Sequence, residues 1–332
     1  MLAPEGTRLH AEEARFFRDA DPWGFILFAR NLDNARQIAH LTSALRDTVG
    51  RAAPILIDQE GGRVQRLRPP LARDWPPPLE EVGRAGVFAE RVMEIRYQII
   101  ARELLDLGID TNCAPCADVA SVNTHPFLRN RCYGDTPDHV ARVASAVAKG
   151  LLSGGVLPVI KHLPGHGRAT VDSHLTTPSV DAQLEALRAT DFAAFKGISG
   201  LPLGMSAHVR YLAVDDARPA TISPPMIRII RDEIGFGGLL MSDDISMEAL
   251  PGNVAERALG AIEAGCDVVL HCNGSLPEMI EIANAAGTLG REAAARAERA
   301  LERRSQPEPI DIAALQAELE ALRLGGQDER HG

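Results

Sequence analysis

The strongest constraint on the fold is a rhythm of seven short apolar runs separated by segments with helical spacing. The runs are Gly24–Phe28, Pro54–Ile57, Ile109–Cys116, Leu157–Ile160, Leu201–Ser206, Gly238–Met241 and Val268–His271. Between them, Ile38, Leu41 and Leu45 fall on one helical face, as do Val140, Val143, Val147 and Leu151, and Leu184, Leu187 and Phe195. Ser223 before Pro224, and Ser275 before Pro277, carry the signature of helix starts. Near the end, Asp311 is placed to cap a helix bearing Leu315, Leu319 and Leu322, and residues 325–332 read as a disordered tail. Alternation of this kind implies βα units around a parallel sheet.

The polar residues decide between an open and a closed sheet. They gather just after the runs: Arg30 and Asn31, Asp58 to Arg66, Asp118, Lys161 to His174, His208, Asp243 and Asp244, and Asn273. A barrel brings all such positions to one face, whereas an open sheet uses only the loops near one switch point. The expectation is therefore α/β, a single TIM-like (β/α)8 barrel over residues 1–324 with a C-terminal capping helix. A length of 332 residues suits two domains on average, but barrels often run this long as one. The eighth strand has to lie in Met1–Leu9, where Pro4 and Gly6 make a poor strand. The proline-rich Pro69–Leu79 reads as a stiff loop, since the alternation resumes on both sides.

Composition narrows the function. A net charge of −10 argues against a nucleic-acid surface, which needs clustered Lys and Arg. There is no apolar stretch of roughly 18 residues and no leader-like apolar segment at the start, so neither membrane nor export is expected. Cys113, Cys116, Cys132, Cys266 and Cys272 form an odd set without a disulfide framework, which fits a reducing cytoplasm. Cys113 and Cys116 make a CxxC, yet in a strand positions three apart face opposite ways, and no second pair follows. No metal and no cofactor are expected.

Three stretches carry chemistry. Lys161 to Gly167, KHLPGHG, continues to Asp172-Ser173-His174 and is too polar for a core element. A carboxylate on one imidazole nitrogen fixes the tautomer and raises the basicity of the other, so Asp172 and His174 can form a proton-transfer pair. Zinc is the minor reading, because Pro164 and the glycines forbid a continuous ligand helix. Next, the run Leu239–Met241 leads through Ser242 into Asp243 and Asp244. Either acid can cap the following helix, Asp244 the more readily, but a carboxylate there can also attack an anomeric carbon. Finally, in Ile57-Asp58-Gln59-Glu60-Gly61-Gly62-Arg63, Asp58 closes a strand and the glycines allow a turn that returns Arg63 or Arg66 over the mouth; a carboxylate with a guanidinium nearby makes a sugar grip. No GxxxxGK[ST] or GxGxxG accompanies them.

Together ILIDQEGGRVQRL, KHLPGHG with its downstream DSH, MSAHV and LLMSDDISM resemble glycoside hydrolase family 3, with FILFARN and NRCYGD in agreement. Within it the chain is most similar to bacterial cytosolic β-N-acetylglucosaminidases (β-hexosaminidases) of peptidoglycan recycling. The resemblance runs from about Gly24 to about Asn273. It implies Asp243 as nucleophile, His174 as general acid/base with Asp172 as its partner, and Asp58, Arg66, Arg131, Lys161 and His162 as sugar contacts. Asp244 takes no catalytic role in the family pattern.

The expected function is retaining hydrolysis of terminal β-linked N-acetylglucosamine from a small saccharide or muropeptide, with no oligomeric state implied and a monomer sufficient. Three rivals share the residues. A phosphorylase can use a histidine acid/base that does not repel phosphate, a β-glucosidase differs only in substrate, and a non-catalytic sugar-binding barrel should have lost Asp243, Asp172 or His174.

Overall fold

The computed structural model describes residues 1–171 and 177–328. Each of the seven apolar runs supplies a strand: β1 (Phe25–Leu27), β2 (Ile55–Ile57), β3 (Thr111–Asn112), β4 (Leu157–Leu163), β5 (Leu203–Ser206), β6 (Leu239–Asp244) and β7 (Val268–Leu270). They form one all-parallel sheet in which every strand pairs with its neighbours in sequence order. Strand β3 is shorter than its run, because Pro115 has no N–H for the ladder. Beyond it, Val159 N–H donates to Ala114 O and Lys161 N–H to Pro115 O.

The sheet is buried on both faces, as a parallel sheet wrapped by helices must be. Alternate side chains divide accordingly. Ile26, Leu56, Val159, Leu203, Met205, Leu239, Met241 and Leu270 form an inner cluster, with Met1 and Ala3. Phe25, Leu27, Ile55, Ile57, Ile160 and Leu240 point the other way, toward the helices. The result is an α/β fold on a curled parallel sheet.

Among the described residues there is no regular eighth strand. Instead Leu2 makes single parallel bridges to Phe25 of β1 and to His271 after β7, the two ends of the sheet. Pro4 follows at once and ends any ladder there.

The helices follow the expected faces, with three differences. Helix α1 (Ala35–Val49) buries Ile38, Leu41 and Leu45, and α3 (Pro137–Ser153) buries Val140, Val143, Val147 and Leu151. The segment carrying Leu184, Leu187 and Phe195 is not one helix but two, Leu184–Ala189 and Asp191–Lys196, broken at Thr190. Ser223 caps its helix by accepting from Met226 N–H, whereas Ser275 begins a helix without a side-chain cap. The last helix, α4 (Ile312–Asp328), starts on Asp311, whose Oδ1 accepts from Ala313 and Ala314 N–H at 2.9 and 3.1 Å. It continues through Gly325 and Gly326 to Asp328, past the expected start of disorder at 325. Gly326 has no Cβ to strike Ala85 O, which would lie 2.6 Å away, so the glycine suits this close contact rather than ending the helix. Residues 329–332 lie outside the described residues.

Candidate active site

At the C-terminal ends of the strands lies a cavity of about 250 Å³ whose lining includes Asp58, Arg66, Arg131, Lys161, His162, His166, Asp243 and Asp244. Phe28, Met205, Met247 and Leu270 add apolar walls. The structure thus brings six of the sequence-derived site residues, Asp58, Arg66, Arg131, Lys161, His162 and Asp243, to one place. Asp172 and His174 lie outside the described residues.

The Asp58 side of the cavity is built by a two-stranded hairpin after β2, Gln59–Gly61 against Val64–Gln65. Gly61 and Gly62 turn it with φ of +112° and +57°, which an L side chain rarely adopts. The turn returns Arg66 onto Asp58, Nη2 to Oδ2 at 2.9 Å, while Lys161 Nζ reaches Oδ1 at 2.8 Å. Burial raises the Asp58 carboxyl, but Lys161 and Arg66 outweigh it and hold it well below the carboxylate range.

Glu60, to which the sequence reading assigned no role, ties Arg131 and Lys161 together behind Asp58. Arg131 clasps it with Nε at 3.0 Å and Nη2 at 2.9 Å, and Lys161 Nζ lies 2.6 Å from Oε1. Burial again raises the carboxyl and Arg131 with Lys161 lowers it, so it stays ionised. The missed signal is period two: Asp58 and Glu60 fall on the same side of an extended segment. Three cations and two carboxylates leave this cluster one positive charge in excess and rich in directed N–H groups.

Asp118 is the second residue without an assigned role. Its Oδ2 takes His162 Nδ1–H at 2.7 Å and the Cys116 thiol at 3.3 Å, while Oδ1 takes the His162 and His166 amides at 3.3 and 2.6 Å. Burial opposes its charge, but His162 and His166 prevail and keep the carboxyl well below its usual range. This fixes the His162 ring so that Nε2 turns toward Arg131, 3.4 Å from Nη2. Cys116, Asp118 and His162 are also a group whose ligand atoms lie within 4.8 Å of one another, so a metal could be held there at the cost of these hydrogen bonds. His166 packs edge-on against His162 with ring centroids 5.3 Å apart, and burial, then His162, push it down to about 3. The glycine after it is obligatory: a Cβ on Gly167 would sit 1.8 Å from Val119 O.

Across the cavity, Asp243 stands near the end of β6, half-buried. Among the described residues its one hydrogen bond is from the Asp244 amide to Oδ1, 2.8 Å. Burial raises its carboxyl, but His208, His162, that amide and Lys161 together hold it below the ordinary value. His208 lies behind it: Nε2 faces Asp244 O at 2.9 Å, so it must carry the proton, and Nδ1 meets Thr221 Oγ1 at 2.8 Å. Asp244 differs sharply from its neighbour. It accepts from Ser246 N–H, Ser246 Oγ and Cys272 N–H at 3.1, 2.7 and 3.2 Å. It fastens a turn instead of capping a helix; the next helix, Val254–Ala264, is capped by Asn253 with Glu256.

The arrangement offers one ionised, lightly bonded carboxylate opposite a cluster of fixed donors and acceptors, in a cavity of monosaccharide scale. The chain as a whole is similar to known proteins. The sequence model of the glycosyl hydrolase family 3 N-terminal domain matches residues 2–304. A β-hexosaminidase of Methylococcus capsulatus is 39% identical over 276 residues, 81% of this chain and 80% of that protein. The crystal structure of NagZ from Neisseria gonorrhoeae in complex with N-trifluoroacetyl-D-glucosamine superposes with a TM-score of 0.83 at 32% identity, covering 98% of this chain and 97% of the other. A family 3 β-N-acetylglucosaminidase from Paenibacillus sp. gives a TM-score of 0.85 at 29% identity, over 94% of this chain; the chain spans 63% of that longer protein.

Proposed function

The chain belongs to glycosyl hydrolase family 3, and from that premise we propose that this glycoside hydrolase removes terminal β-linked N-acetylglucosamine with retention, through a glycosyl ester on Asp243. The observation that carries the reading is an ionised, half-buried Asp243 in one cavity with Asp58, Lys161 and Arg131, the last two tied together by the buried Glu60.

In the first step an Asp243 oxygen attacks the anomeric carbon as the bond to the aglycone oxygen breaks, and His174 gives that oxygen a proton. In the second, water attacks the same carbon, His174 takes its proton, and the ester to Asp243 opens. Asp172 orients His174 throughout. A carboxylate held ionised by His208, His162 and Lys161 is a ready nucleophile, and the single amide bond it takes among the described residues leaves lone pairs for the new C–O bond. Asp58, Arg66, Arg131, Lys161 and His162 bind the sugar, since hydroxyl and acetamido groups cut off from water each need a partner.

The finer parts of the proposal follow. The chain forms one catalytic unit on a closed barrel; Leu2, bridging both sheet ends, supports closure. Its natural substrates are small muropeptide fragments in cytoplasmic cell-wall recycling, and the unpaired state of all five cysteines supports a reducing compartment. No described helix is long and apolar enough to cross a membrane.

The test is turnover of paired aryl β-N-acetylglucosaminide and aryl β-glucoside, with and without phosphate, while the first-formed anomer is followed by NMR. The expected result is a preference for the acetamido sugar, β-anomer first and no sugar phosphate. An α-anomer, or turnover that requires phosphate, would overturn the proposal.

A further inference from the structure

Behind the grip runs a second chain of ionic contacts that never touches the cavity. Arg96, on helix α2 (Ala89–Leu105), is fully buried and donates from Nη2 to Glu60 O at 2.5 Å and to Pro76 O at 2.9 Å. Tyr97 Oη adds a 3.3 Å bond to the same Glu60 carbonyl. Arg96 Nη1 meets Glu81 Oε2 at 3.4 Å, and Glu81 has no exposed side-chain surface. Glu81 is held from the far side by a fork from Arg323 of α4, Nε to Oε1 at 2.8 Å and Nη2 to Oε2 at 2.5 Å. The hairpin turn is shaped to admit this: a Cβ on Gly61 would stand 1.8 Å from Arg96 Nη2.

We infer that Arg323, Glu81 and Arg96 form a positioning relay, by which the C-terminal helix fixes the backbone of Glu60 and hence the set of the sugar grip. Glu60 holds Lys161 and Arg131 through its carboxylate, so a shift of its carbonyl moves two of the donors that face the sugar. The reason for coupling is charge balance in a dry site. Glu81 is shared by two guanidiniums, tightly by Arg323 and loosely by Arg96. Without Arg323, the buried carboxylate has only Arg96 left, and draws it off the Glu60 carbonyl. Asp243 sits across the cavity on β6 and has no contact with the relay, so binding should suffer and the chemical step should not.

The inference uses the proposed activity only as a reporter, and the experiment separates the two. Trp75 lies against Arg96, its ring centroid 5.3 Å from the guanidinium carbon, and the chain has only two tryptophans. In a Trp23→Phe background, Trp75 emission reports on Arg96 whether or not any sugar is cleaved. Arg323→Ala should shift that emission and raise KM for an aryl β-N-acetylglucosaminide about tenfold, with kcat within about twofold of wild type. Arg323→Lys should recover part of KM. The double variant Arg323→Ala/Glu81→Gln, which removes the stranded charge, should recover most of it. Arg91→Ala breaks a different clamp of the same helix, the Arg91–Glu318 fork at 2.7 and 2.9 Å, and should leave KM and Trp75 emission unchanged. Unaltered Trp75 emission and KM in Arg323→Ala would overturn the relay, as would an equal KM rise in Arg91→Ala, which would mean helix docking in general. A wild type inactive on the aryl substrate would defeat the functional reading alone, leaving the relay to the emission experiment.

Discussion

On one side of the cavity Asp58 has both oxygens engaged, one by Lys161 and one by Arg66, and Glu60 has three contacts from Arg131 and Lys161. On the other side, among the described residues, Asp243 takes a single neighbouring amide, although it too is kept ionised. On the proposed function, the difference separates two uses of a carboxylate. A group that holds a ligand gains from being fixed by partners that set its geometry beforehand. A group that must form a bond keeps its lone pairs free and obtains its charge from cations and imidazoles that do not occupy them. Asp244 sharpens the contrast: one residue away, it accepts three hydrogen bonds and is committed to a turn.

Substitutions should rank by side of the cavity. Asp243→Asn should leave the protein folded and lower kcat by several orders of magnitude, because the amide cannot form the ester; steady-state kinetics and thermal unfolding together check this. Activity within tenfold of wild type would move the nucleophile elsewhere. Asp58→Ala should come second. With two hydrogen bonds to a charged group lost, at about 1.5–3 kcal/mol each, kcat/KM should fall roughly 10²- to 10⁴-fold. An unchanged value would remove Asp58 from the grip.

Asp244→Asn should affect the fold more than the reaction. An amide presents N–H groups to Ser246 or Cys272 where a carboxylate accepted, so about 1–3 kcal/mol of stability is lost while kcat/KM stays within about tenfold. Equal losses from Asp243→Asn and Asp244→Asn would erase the contrast. The smallest effect on turnover comes with a pH dependence of stability. His166 is pushed from 6.5 down to about 3 in the folded protein, chiefly by burial. The unfolded chain therefore binds the extra proton between those values, and stability falls as pH drops through that window. His166→Gln should flatten this slope in denaturant titrations at pH 7, 5 and 4, and an unchanged slope would assign the acid sensitivity to other groups.

Much of this was legible in the sequence because two periodicities are strong. Each of the seven runs became a strand, and Ile38, Leu41 and Leu45 face the core as spaced. Two adjacent glycines marked a turn returning Arg63 or Arg66 over the mouth, and it is Arg66 that meets Asp58. What stayed hidden depended on tertiary partners. Glu60 looked like one more polar turn residue until Arg131, 71 positions away, closed on it. Asp118 could be placed after a strand but given no role, since its histidine partners come from the end of β4 and the loop after it. The break at Thr190 divides one apolar periodicity between two helices, and spacing alone carries no mark of it. The first segment failed as a strand because Pro4 and Gly6 prevent a ladder, yet one residue, Leu2, reaches both sheet ends.

The central claim is that Asp243 becomes covalently attached to the sugar, and peptide mapping after trapping tests it most directly. An N-acetylglucosaminyl fluoride bearing a second fluorine at C5 slows release of the glycosyl-enzyme relative to its formation. Intact-mass measurement should then show one added fluorosugar, mapped by fragmentation to the peptide containing Asp243 and absent from Asp243→Asn. An adduct on another carboxylate, or turnover of the fluoride by wild type with the adduct equally present in Asp243→Asn, would contradict the account.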